Sequence, residues 1–159
     1  MELIIVYTII ILALFSASFF TKRRFGLLGL ALAAGAMISS IWGYDASLVA
    51  GLFGFSGGPM TSAVVTSILV LLPAGLLLFH GYTYKSLVGR IIGATLFTVL
   101  ATAFLVEPLS HVLTVQGPAT VIYQSVVDNR TSVIGIGLIV AIADLFFTKP
   151  AHSDKRHKR

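Results

Sequence analysis

The chain contains no cysteine, which excludes disulfides, thiolate nucleophiles and cysteine-ligated metals. Charge is nearly as scarce. Only 11% of the 159 residues are charged and 57% are apolar, whereas soluble domains carry roughly one quarter charged residues. The few charges fall between long apolar runs instead of along helix faces. A water-soluble fold of one-domain size could not hide so many apolar stretches. The class is therefore an all-α, polytopic membrane helix bundle. Positive charge is also missing ahead of the first apolar run: Met1 and Glu2 precede it, and Lys22, Arg23 and Arg24 follow. A secretory signal has the reverse order, so "SAS" at 16–18 is read as part of a retained helix.

A helix crossing ~30 Å of hydrocarbon needs about 20 mostly apolar residues. Five runs qualify: 3–20, 25–43, 62–80, 91–107 and 131–148. Pro73 and Gly75 predict a kink in the third, where neighbouring helices can satisfy the freed backbone groups. Pro108 is expected to end the fourth run, and Lys149 with Pro150 the fifth. A basic tail, 149–159, follows.

Orientation comes from the basic residues of the short loops. With 21–24 in the cytoplasm, that side receives ten of the eleven: Lys22, Arg23, Arg24, Lys85, Arg90 and five in the tail. Arg130 falls outside, with Glu2, Asp45, Glu107 and Asp128. The expected topology is five spans, N-terminus outside and C-terminus cytoplasmic. The positive excess is thus a topology signal and not a nucleic-acid footprint. The expected partner is the lipid bilayer, with the tail gaining about 1 kcal/mol per basic residue near anionic headgroups.

Two segments remain on the outer side: 44–61, too short and glycine-rich to span but too apolar to float freely in water, and 108–130. Asp45 is placed to N-cap a short interfacial or dipping helix over 46–53. From Pro118, the residues Val121, Ile122, Ser125 and Val126 suggest a separate amphipathic helix on the outer surface. Trp42 and Tyr44 suit an outer aromatic belt, and Tyr82 and Tyr84 an inner one.

Residues 54–60 read GFSGGPM. Gly-x-Ser-Gly resembles the nucleophile motif of rhomboid intramembrane proteases, which would make Ser56 a nucleophile. Such a serine needs a base within reach. His80 lies at the opposite membrane face, His111 is the one partner on the right side, and the last span holds no histidine. Gly54, Gly57 and Gly58 permit tight turns, and Pro59 suits the first position of the next helix. Ser56 is read as a turn residue. No catalytic residue, cofactor or metal set is expected.

Asp144 is the polar candidate within a span, because an intramembrane ionisable residue is functional by default. It lies four residues from the end of its run, so snorkelling to the interface is the bland alternative. Small residues recur at helix spacing: Ala31, Gly35, Ser39 and Gly43 in the second span, Gly89 and Gly93 in the fourth, Gly137 and Ala141 in the fifth. Such seams let helix backbones approach closely in lipid. They could serve the chain's own helices, self-association or other membrane proteins.

"IIILALFSASFFTKRRFGLLGL", the small-rich second span, and "LVGRIIGATLFTVL" with Arg90 and Gly93 resemble the colicin V production family of small bacterial inner-membrane proteins. The likeness covers about residues 5–110. Where that family has a further glycine this chain has Phe97, and the fifth span is an addition. The resemblance implies a non-enzymatic protein assisting bacteriocin-type secretion or envelope homeostasis. The rival from another class is a small channel or transporter subunit lining a path with Asp144, Thr95, Thr98 and Thr102, although such threonines usually bond to their own backbone.

Overall fold

In hydrocarbon a backbone amide has no water to bond, so a chain this apolar must satisfy its backbone internally, and helices do so within each segment. A computed structural model of the chain describes residues 2–52, 58–79, 84, 86–110 and 119–147. Its elements are α1 (Glu2–Thr21), α2 (Phe25–Leu52), α3 (Pro59–Phe79), α4 (Leu87–Ser110) and α5 (Ala119–Phe147). Four contain apolar stretches long enough to cross a membrane: Phe25–Asp45, Pro59–Phe79, Leu87–Ser110 and Val127–Phe147. The apolar stretch found in α1 is shorter, Tyr7–Thr21.

Three helices outrun their expected ends. α2 continues unbroken to Leu52, so Asp45 sits inside a helix instead of capping a new one. Continuing the i→i−4 ladder satisfies every amide there, which a fresh start would not. α5 is a single helix of 29 residues in place of an amphipathic helix followed by a span. No glycine or proline lies between Val121 and Ile134 to divide it. Pro108 is buried inside α4 and does not end it. In the last turn a proline removes one ladder bond and leaves few others to disturb.

α4 is central and packs against each of the other four helices. α2 packs most extensively on α3 and also meets α4 and α5. Their shared core is Phe25, Leu28 and Leu32 of α2, Val70 and Ala74 of α3, Phe97, Leu100 and Ala101 of α4, and Ala141 of α5. Fully burying a side chain of Leu or Phe size is worth about 1.5–3 kcal/mol against water. In lipid that gain falls away, so close packing has to hold the bundle.

The tightest approach is at Gly35. A Cβ built there would run into the Val70 carbonyl oxygen and lie 3.0 Å from that of Leu69. Leu69 is four residues before Pro73, which has no N–H to offer it. The glycine of α2 therefore lies beside the one carbonyl, Leu69 O, that the proline of α3 leaves without its ladder donor.

Candidate functional site

Most polar contacts between helices gather at the end where α1 passes to α2. Lys22 ends α1 in the left-handed region, φ 57°, and its N–H donates to Ser18 O at 3.1 Å. That conformation usually falls to glycine, and here it turns the chain directly into α2. The first amides of a helix have no partners in their own helix, and the helix dipole makes that end attractive to an anion.

Asp144 of α5 supplies the anion. Gly26 N–H donates to its Oδ2 at 3.0 Å. Tyr84 Oη donates to its Oδ1 at 3.0 Å and accepts from Phe25 N–H at 3.2 Å. One carboxylate thus caps two amides of α2, one directly and one through a phenol. Tyr84 is held in turn by its own N–H, which donates to Lys22 O at 2.8 Å. Burial pushes the Tyr84 phenol up from 10 to about 12. The neighbouring Asp144 charge pushes the same way, against the Phe25 N–H.

Arginines take the helix ends of opposite polarity. Arg23 donates from Nε to Leu78 O at 2.9 Å and from Nη2 to Phe79 O at 2.6 Å, at the C-terminus of α3. Arg90 donates to Phe19 O at 3.1 Å, near the C-terminus of α1, with its guanidinium carbon 4.6 Å from the Phe19 ring centroid. Cations at C-termini and an anion at an N-terminus are the favourable pairings, each worth about 0.3–1 kcal/mol when exposed and more when partly buried. Three helix ends, those of α1, α2 and α3, are tied by charges on residues from other segments.

The small residues of the sequence sit as follows. Ala31 and Gly35 lie in the α2 core, and a Cβ on Gly43 would meet Thr66 Oγ1 at 3.7 Å. Ser39, buried, lines a cleft beside Thr66. Gly89 and Gly93 receive the Tyr84 ring instead of a helix: a Cβ on Gly93 would be 2.6 Å from its Cε2, and one on Gly89 3.2 Å from its Cδ1. Gly137 faces the Leu100 side chain. Ala141 packs against Gly26 and Gly29, where added Cβ atoms would lie 2.6 Å from its carbonyl oxygen and 2.9 Å from its Cβ.

Sequence reasoning singled out neither of those two glycines, nor the capping role of Asp144. It placed Tyr84 in an interfacial belt, whereas the phenol points inward. A signal was available. Asp144 was expected at the membrane face where α2 begins, and an unpaired helix N-terminus beside a carboxylate is a capping pair.

The threonines of the channel reading donate to their own helix: Thr95 to Ile91 O, Thr98 to Ala94 O, Thr102 to Thr98 O. Thr98 and Thr102 border a mostly apolar cleft of about 450 Å³ between α1, α4 and α5. Among the described residues no group of three or more His, Cys, Asp or Glu side chains converges as a metal site. Ser56, His80, His111, Tyr82 and the tail 149–159 lie outside the described residues.

Comparison with protein families, with curated proteins and with solved structures finds no match for this chain. The four long apolar helices are those of a multi-pass membrane protein.

Proposed function

We propose that this chain is a five-span protein of the bacterial inner membrane, N-terminus outside and C-terminus cytoplasmic. It supports secretion or envelope homeostasis by packing against other membrane components, and it performs no catalysis. One observation carries the reading. Asp144 is engaged in capping α2, while α5, which bears it, turns Ile136, Ile139, Phe146 and Phe147 outward at 64%, 68%, 81% and 87% exposure. The ionisable group then serves cohesion, and the working surface is apolar helix for lipid and neighbouring proteins. The resemblance to the colicin V production family supplies the process.

Deleting the gene in a bacterial host should lower bacteriocin export, and the chain carrying Ser56→Ala should restore it fully. Failure of that variant would bring back the protease reading. Flux of ions or small solutes in liposomes that Asp144→Asn abolishes would favour the channel. For topology, a C-terminal green fluorescent protein fusion should glow and a C-terminal alkaline phosphatase fusion should stay inactive. The opposite pair of results would remove one span.

A further inference from the structure

Hydroxyls inside a membrane bundle ordinarily donate to the carbonyl three or four residues back. Ser40, Ser67, Thr95, Thr98, Thr102 and Ser110 all do so here. Ser39, Ser62 and Thr66 do not: their hydroxyls have no hydrogen-bond partner among the described residues. All three line one cleft between α2, α3 and α4, about 570 Å³ in volume. Ser39 is buried to 8% exposure, and its Oγ and Thr66 Oγ1 both face the space above Gly43. Ser39 is buried, Thr66 half-buried and Ser62 exposed, and a buried hydroxyl is nearly always partnered, so it is the Ser39 hydroxyl above all that takes its partner from whatever enters the cleft.

We propose that this cleft binds an uncharged, polyhydroxylated ligand of monosaccharide size, either a free glycoside or the sugar headgroup of a lipid. Hydroxyls that both donate and accept match other hydroxyls without needing charge. Among the described residues no Lys, Arg or His lines the cleft to draw an anion. The carboxylate that lines it among the described residues, Glu107, already pairs with Arg130 at 2.8 Å, which removes the demand for a cation. Val70, Phe104, Pro59 and Pro108 supply an apolar wall for the C–H face of a sugar ring. The volume falls in the usual range for small-ligand sites, about 300–1,000 Å³.

The absence of cysteine makes the test direct. Ser39→Cys, Ser62→Cys and Thr66→Cys each give the full chain a single thiol. In phosphatidylcholine nanodiscs, which expose both faces, a small neutral thiol reagent should label all three. Methyl glucoside at ten times its half-saturating concentration should slow that labelling about tenfold. A thiol placed by Ser67→Cys, outside the cleft, should be unaffected. Protection by a glucosyl diacylglycerol in the disc and not by free methyl glucoside assigns the lipid source, and the reverse assigns the soluble one. Adding Ser39→Ala and Thr66→Val to Ser62→Cys should abolish protection while elution on size exclusion stays unchanged. The proposal is overturned if neither sugar protects, if Ser67→Cys is protected equally, or if the double substitution leaves protection intact.

Discussion

The two ends of the bundle use their polar residues in opposite ways. Around Lys22–Arg24 the bonds run between segments far apart in sequence: Gly26 to Asp144, Tyr84 to Asp144, Arg23 to Leu78, Arg90 to Phe19. Around Glu107 the hydroxyls of Ser40 and Ser110 bond within their own helices, and those of Ser39, Ser62 and Thr66 line a cleft. The Glu107–Arg130 pair there joins α4 to α5 at the surface, where an ion pair contributes about 0–1 kcal/mol. One end is clasped and the other is held apart. Cohesion and access can therefore be altered independently.

The largest expected effect lies between the ends, where Gly35 meets backbone. Gly35→Ala places a methyl group against the Val70 carbonyl, and neither side can yield without moving a helix. Overpacking of that kind costs up to about 3 kcal/mol. Thermal unfolding in detergent should show the loss. Gly75→Ala, with nothing within 4 Å of its new methyl, should be neutral or stabilising. Equal tolerance at both positions would mean that α2 and α3 do not touch at this point.

Next comes the clasp itself. Asp144→Leu leaves the Gly26 amide and the Tyr84 hydroxyl without their acceptor and should cost about 2 kcal/mol. Asp144→Asn keeps an acceptor oxygen and should lose less. If leucine were tolerated as well as asparagine, the carboxylate would be an interfacial residue after all and the contrast between the ends would disappear.

Tyr84→Phe removes one donor and one acceptor from the same network and should cost about 1 kcal/mol. The phenol gives a further handle in pH. Its folded value, about 12, lies above the ordinary 10. The stability it contributes in neutral form is complete below pH 10 and is lost as pH rises from about 10 to 12. Wild-type protein should lose stability across that window by more than Tyr84→Phe does. Parallel pH curves would show that the phenol is not the group being titrated.

Much of this architecture is legible in the sequence. Apolar run length marks where helices lie, because the bilayer leaves no other way to satisfy the backbone. Ends were harder. Asp45 and Pro108 are ordinary stop or start signals in water, but each lies inside a continuous helix here. The clasp was half legible: Asp144, Arg23 and Arg90 were expected at one membrane face, and their pairing with helix ends depends on rotation about each helix axis. That rotation is set by packing such as Gly26 and Gly29 on Ala141, which spacing within one helix cannot reveal. Gly89 and Gly93 show the same limit, since a small-residue pair accepts a tyrosine ring as readily as a helix.

The smallest expected effect is at the open end. In membrane bundles an interhelical side-chain hydrogen bond averages about 0.6 kcal/mol. Ser39, Ser62 and Thr66 make none within the described protein, so removing their hydroxyls should change stability by less than about 0.5 kcal/mol. Ser39→Ala is the sharpest case, because the position is buried and a loss there could not be attributed to exposure. Thermal unfolding of Ser39→Ala beside Asp144→Leu, in the same detergent, puts the two ends on one scale. A loss above about 1 kcal/mol at Ser39 would mean that its hydroxyl is engaged across the helices. The cleft would then be a second clasp, and the division between a tied end and an accessible one would not hold.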